Sequence, residues 1–175
     1  MNIWRLTMWS VLLLAFQPTI FGQTTNKDIS QIRKVFSGIN SDSQLKKLVI
    51  KGEDFLDHTP DGSASLTGYF SKDKLVKISE WIGLSFGIRQ TDYYYDSANL
   101  IFCYVSELHF QTTDSGLNYN KTEPVLEVRY YYMNNKLIQK KQKGSGFWDK
   151  KDESGLLPDS REYSKLLISK MANAK

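Results

Sequence analysis

The feature that most constrains this chain is a hairpin written three times. Tyr69-Phe70-Ser71-Lys72-Asp73-Lys74-Leu75-Val76 is the first copy. Tyr94-Tyr95-Asp96-Ser97-Ala98-Asn99-Leu100-Ile101 and Tyr131-Tyr132-Met133-Asn134-Asn135-Lys136-Leu137-Ile138 are the others. Each places two aromatic residues, four turn residues, then Leu and a β-branched residue. Aromatic and β-branched pairs around a small polar turn are what an antiparallel hairpin needs. The copies begin at positions 69, 94 and 131, an uneven spacing that excludes a fixed-period solenoid.

The turns set an expected register. Asn134-Asn135 suits a two-residue type I′ turn, because Asn tolerates positive φ, and a four-residue loop keeps the same parity. One sheet face then carries Phe70, Leu75, Trp81, Tyr93, Tyr95, Leu100, Phe102, Tyr104, Leu126, Val128, Tyr130, Tyr132 and Leu137. The other carries Tyr69, Val76, Ile78, Tyr94, Ile101, Cys103, Val105, Tyr131 and Ile138, mixed with Glu80, Asp92, Glu107, His109, Glu127 and Arg129. The first face, being more apolar, is the expected main core. A bulge beside a turn would exchange the faces locally, since side chains alternate along a strand with period two.

Around the hairpins, Ile29, Ile32, Phe36 and Ile39 recur at helical spacing and predict an amphipathic helix over 26–40. Leu48-Val49-Ile50 reads as a first strand. Glu53 to Ser65 is a loop, broken by Pro60 and Asp61-Gly62. Gln111 to Glu123 reads as a polar connection, and its Asn120-Lys121-Thr122 is formally a glycosylation sequon. Lys140, Lys141 and Lys143 mark an exposed strand end. Gly144 to Pro158 is a further loop holding Phe147 and Trp148. Asp159 or Ser160 caps a last helix whose apolar stripe is Tyr163, Leu166, Leu167 and Met171. The expected fold is α+β: an antiparallel sheet of six to seven strands, with N- and C-terminal amphipathic helices packed on one face.

Residues 1–22 read as a signal peptide, with Arg5 in the n-region, an apolar Leu6–Phe16 stretch and Gly22 at the end. The apolar run is too short to span a bilayer, which takes roughly 20 residues. The expectation is an exported protein, periplasmic or secreted, with residues 23–175 forming one domain. Cleavage removes one charge, Arg5, and lowers the net charge from +4 to +3. That surplus implies neither nucleic acid nor a membrane as partner. The lone Cys103 cannot form an internal disulfide and reads as a small buried hydrophobe.

The hairpins also carry a resemblance. Thr67 to Ile78, Tyr93 to Glu107 and Arg129 to Ile138 are similar to the "TGYF…KLVKI", "YYY…NLIF.Y.E" and "RYYY.NNKLI" stretches of uncharacterised exported bacterial proteins. The resemblance implies terminal helices around consecutive hairpins and supplies no activity.

Catalytic signatures are missing. No G-x-S-x-G elbow precedes a helix, no P-loop, G-x-G-x-x-G, H-E-x-x-H or C-x-x-C occurs, and the two histidines are His58 and His109. Asp54, Asp57, His58 and Asp61 form the densest group of possible metal ligands, but match neither a calcium loop nor a zinc pattern. They read as a solvated acidic loop, with no metal or cofactor expected. Carboxylates are numerous enough for a paired-carboxylate glycosidase, but the short hairpins argue against a small hydrolase. The residues point instead to a non-catalytic binding module. Tyr69, Tyr94 and Tyr131 occupy equivalent hairpin positions near Glu127 and Arg129, and flat tyrosines beside an Arg suit recognition. The Phe147-Trp148 loop is a second candidate surface. The competing reading is a structural subunit of an envelope assembly, joined to another chain through an edge strand.

Overall fold

The computed structural model describes residues 21–58, 60–147 and 153–173. The expected signal sequence up to residue 20, and Trp148, lie outside the described residues. Helix α1 (Phe21–Ser41) leads into seven strands: β1 (Lys46–Lys51), β2 (Ala64–Ser71), β3 (Lys74–Leu84), β4 (Gly87–Asp96), β5 (Asn99–Thr113), β6 (Gly116–Met133) and β7 (Lys136–Gly144). Helix α2 (Leu156–Asn173) follows. The strands lie in sequence order, every pair antiparallel, so the sheet is a single meander.

All three repeated hairpins close on two-residue loops, with Ser71 opposite Lys74, Asp96 opposite Asn99 and Met133 opposite Lys136. Ser97, Ala98, Asn134 and Asn135 all have positive φ, between 49° and 68°, as the right-handed strand twist demands of a tight turn. Immediately beyond each turn the register slips by one. Phe70 faces Leu75 but Tyr69 faces Lys77; Tyr95 faces Leu100 but Tyr94 faces Phe102; Tyr132 faces Leu137 but Tyr131 faces Gln139. The extra residues are Val76, Ile101 and Ile138, the β-branched member of each copy. The repeat therefore encodes a bulged hairpin, the same device three times.

These bulges overturn part of the expected facing. Beyond them, Ile78, Cys103 and Val105 join the larger core, with Leu66, Phe70, Tyr93, Tyr95, Leu126, Val128 and Tyr130. Glu80 and Glu107 turn to that side as well. Phe102 and Tyr104 cross to the opposite face, where Phe102 is buried with Tyr94 and Tyr131. Trp81, paired with Gln90, follows them. One added residue reverses every later side chain on its strand.

The helices differ from expectation too. They cover opposite faces: α2 inserts Leu156 and Leu167 into the larger core, while α1 lays Ile29, Ile32, Phe36 and Ile39 on Tyr94, Phe102 and Tyr131. The second face is apolar enough at its centre to need a cover. Helix α1 begins at Phe21, before residue 26, since nothing between Gly22 and Asn26 breaks it. Helix α2 begins at Leu156, so Pro158 lies in its first turn, where a missing N–H costs no helical bond. The stretch Gln111–Glu123 is not a loose connection. It extends β5 and β6 into a two-stranded arm, with Thr113 opposite Gly116. At the far end Gly62 and Gly83 press backbone to backbone; a Cβ on Gly62 would lie 2.5 Å from the Gly83 carbonyl carbon.

Candidate functional site

The bulges align one row of side chains across the entire sheet. Lys47 faces Tyr69, Tyr69 faces Lys77, Lys77 faces Tyr94, Tyr94 faces Phe102, Phe102 faces Tyr131 and Tyr131 faces Gln139. This row lies on the α1 face and contains all three tyrosines singled out in the sequence. It does not leave them equally available. Tyr69 is half-buried between Lys47 and Lys77, each ammonium 5.4 Å from its ring centre. Tyr94 and Tyr131 are buried beneath α1.

Tyr94 anchors the helix. Phe36 meets its ring edge-on at 4.9 Å, and its hydroxyl donates to Asn40 Oδ1 at 3.1 Å, at the C-terminal end of α1. Lys77 Nζ lies 2.9 Å from Asp92 Oδ2 and 4.9 Å from the Tyr94 ring centre. Burial alone would lower the Lys77 pKa, but the Asp92 charge and hydrogen bonds to Tyr94 and Asp92 outweigh it, and the net shift is upward. Burial pushes the Tyr94 phenol up, and Asp92 adds to the shift. This half of the row is a closed, paired assembly.

The other half is open. Between α1 and strands β5, β6 and β7 runs a groove of about 480 Å³, lined by Ile32, Arg33, Phe36, Ser37, Phe102, Tyr104, Arg129, Tyr131 and Lys141. Its floor is apolar: Phe102 packs on Phe36 at 5.3 Å and on Tyr131 at 5.0 Å. Its rim is cationic. The Arg33 guanidinium lies 6.0 Å from the Tyr131 ring centre, and that of Arg129 lies 5.4 Å from the Tyr104 ring centre. Arg129 Nη2 donates to Glu127 Oε2 at 3.3 Å, while the Tyr104 hydroxyl donates to Glu127 Oε1 at 3.0 Å. Burial, then Glu127, raises the Tyr104 pKa. Lys141 is the β7 residue directly opposite Arg129. Like charges facing each other across a ladder are destabilising. Among the described residues neither Arg33 nor Lys141 has an ion-pair partner, and Glu127 is the one carboxylate bonded at this rim.

Of the five sequence-selected residues, Arg129, Glu127 and Tyr131 come together at the groove, while Tyr94 and Tyr69 lie further along the row towards the opposite edge. Residues missed from the sequence are Arg33 and Lys141, on elements whose placement against β6 depended on the bulges.

The α2 face holds a second polar group, also missed. Glu80, Arg89, Thr91 and Glu107 are all buried on the core side. The Tyr163 hydroxyl of α2 donates to Glu80 Oε1 at 2.8 Å, and the Tyr95 hydroxyl donates to the Ser160 carbonyl at 2.9 Å. Glu107 Oε1 accepts from the Phe147 amide at 3.1 Å and lies 2.6 Å from His109 Nε2. Gly146 sits so close over this carboxylate that a Cβ there would be 2.6 Å from Oε2. Phe147 itself is exposed, its ring 6.0 Å from that of Phe86. These carboxylates fasten α2 and the segment after β7 to the sheet.

For nucleophilic chemistry the candidates are poor. Cys103 is wholly buried, and burial pushes its thiol well above the usual range, with Arg89 only partly opposing. Asp54 of the acidic loop lies 3.8 Å from Lys170, and among the described residues no group of three or more His, Cys, Asp or Glu is arranged to hold a metal ion. No described helix is long and apolar enough to cross a membrane. No protein-family model, curated protein or solved structure matches the chain.

Proposed function

We propose that this protein is an exported, non-catalytic binding module, and that its site is the groove between α1 and β5–β7. The ligand it suits is an amphipathic anion: an apolar body on Phe36, Phe102 and Ile32, with an acidic group reaching Arg33, Arg129 and Lys141. One observation carries this reading. Arg129 and Lys141 face each other across the β6–β7 ladder with Arg33 on the neighbouring helix, and among the described residues Glu127 is the only carboxylate bonded at the rim. Partly or fully exposed cations gathered over an apolar floor repel one another, and an anion that joins them relieves that repulsion. Export is supported by the Arg5 and Leu6–Phe16 pattern.

The test is a fluorescence titration of residues 23–175 with 8-anilinonaphthalene-1-sulfonate, an aryl sulfonate of this chemistry. The paired substitution Arg129→Gln and Lys141→Gln should weaken binding by about tenfold, from roughly 0.7 kcal/mol for each partly exposed charge. The far-UV spectrum and the denaturation midpoint should not fall. Unchanged affinity in a folded variant would remove the groove as the site.

A further inference from the structure

The groove opens onto an unpaired edge. Strand β7 is last in the sheet, so no described strand pairs with its outer side. Alternate N–H and C=O groups along such an edge point outward and are free to form another ladder. In nine residues β7 carries four lysines and no acidic side chain, and Lys140 to Gly144 are all exposed. Lysines on an edge prevent a second copy of the same edge from pairing with it. They place no such bar on an acidic strand, which they attract.

The lysines are also arranged. Lys141 faces Arg129 and Lys143 faces Glu127, so both project onto the α1 side, two residues apart on one strand. Lys143, like Lys141, has no ion-pair partner among the described residues; the Glu127 carboxylate instead accepts from Arg129 and Tyr104. On the α2 side Lys140 lies over the Tyr130 ring, 5.5 Å from its centre. An added strand would set its side chains at the same two-residue period beside Lys141 and Lys143.

We propose that the anion recognised here belongs to an extended acidic polypeptide segment, which adds to β7 as an eighth strand. It carries carboxylates at alternate positions, set against Lys141 and Lys143, and an apolar side chain at the mouth of the groove. This rests on the groove reading and goes beyond it in naming the ligand as a polypeptide bound through its backbone. The opposite edge suits such a partner less well: β1 also carries lysines, Lys46, Lys47 and Lys51, but it is six residues long against nine and runs into Glu53 and Asp54, which repel an acidic strand.

The test uses a fluorescent heptapeptide alternating glutamate with threonine, one end glutamate replaced by leucine, and its lysine counterpart. It also uses two N-methylated forms of the glutamate peptide, one methylated at odd amides and one at even amides. Polarisation titrations against residues 23–175 should show binding of the glutamate peptide and none of the lysine peptide. Only one edge of the added strand bonds to β7, and alternate amides point to it, so one N-methylated form should bind normally and the other should lose at least tenfold. Lys143→Gln should weaken peptide binding severalfold and leave the aryl sulfonate unaffected, since Lys143 does not line the groove. If both N-methylated forms bind as the parent does, strand addition is refuted while the groove stands. If the aryl sulfonate binds and the glutamate peptide does not, the polypeptide ligand is refuted alone. If neither binds, both readings fall.

Discussion

Replacing Tyr163 by Phe tests how α2 is held to the sheet. The substitution deletes one hydroxyl, which donates to the buried Glu80 Oε1 at 2.8 Å. The ring contacts remain available to Phe: Tyr163 meets Phe55 at 5.6 Å and Tyr93 at 6.2 Å. The loss is therefore one hydrogen bond to a carboxylate that is 5% exposed. Bonds to charged groups contribute about 1.5–3 kcal/mol, and the half-buried phenol favours the lower end because water can partly replace it. For a domain of this size that corresponds to a fall in Tm of roughly 3–8 °C. Chemical denaturation of wild type, Tyr163→Phe, Glu80→Leu and the double variant completes a thermodynamic cycle. Once Glu80 is Leu, the Tyr163 hydroxyl has no acceptor, and the second substitution should cost under about 0.5 kcal/mol. An equal cost in both backgrounds would refute the bond as the fastening of α2. So would a single variant within about 0.3 kcal/mol of wild type.

Two further outcomes follow from burial. Cys103 is fully enclosed on the α2 side, so native protein should react with a thiol reagent at least a thousandfold more slowly than unfolded chain, as for a group exposed only by large-scale opening. Labelling at rates near the unfolded ones would contradict the register set by the Ile101 bulge. Alkali should unfold the protein early, because burial raises the phenols of Tyr93, Tyr95 and Tyr163 above their ordinary value of 10.0. Above that pH the unfolded chain gives up protons that the folded one retains. Stability is then fully present below pH 10 and falls as pH rises. Denaturation midpoints that stay level between pH 9 and 11.5 would oppose this.

The hairpins were legible because their turns are spelled in short-range chemistry: Asn134-Asn135 admits the positive φ that a two-residue loop requires, and the turn at Asp96–Asn99 is a run of small and polar residues between aromatic and β-branched arms. The facing was not, because alternation is equally regular in either parity, and a bulge changes no residue type. The available signal was the Leu plus β-branched pair recurring after each turn, where Val76, Ile101 and Ile138 prove to be the inserted residues. Glu80 and Glu107 then pass from the expected polar face to the core, where Tyr163 and the Phe147 amide receive them. The β5–β6 arm escaped notice for a different reason: its ladder is backbone, and exposed side chains such as Tyr119 and Asn120 carry no hydrophobic period. At the site, Arg129, Glu127 and Tyr131 could be grouped from one strand, whereas Arg33 and Lys141 required the helix and the neighbouring strand to be placed.

The meander has a kinetic side. Since each strand pairs only with the strands adjacent in the chain, building the sheet closes short loops, and each closure costs little entropy. The helices are the distant partners: Asn40 meets Tyr94 across 54 residues, Ser160 meets Tyr95 across 65, and Tyr163 meets Glu80 across 83. Assembly thus divides into a zippering of neighbours and two long closures, one over each face. Until the second closure is made, Leu66, Tyr93 and Leu126 lie open to water, and the half-finished molecule is a sheet with a wet core.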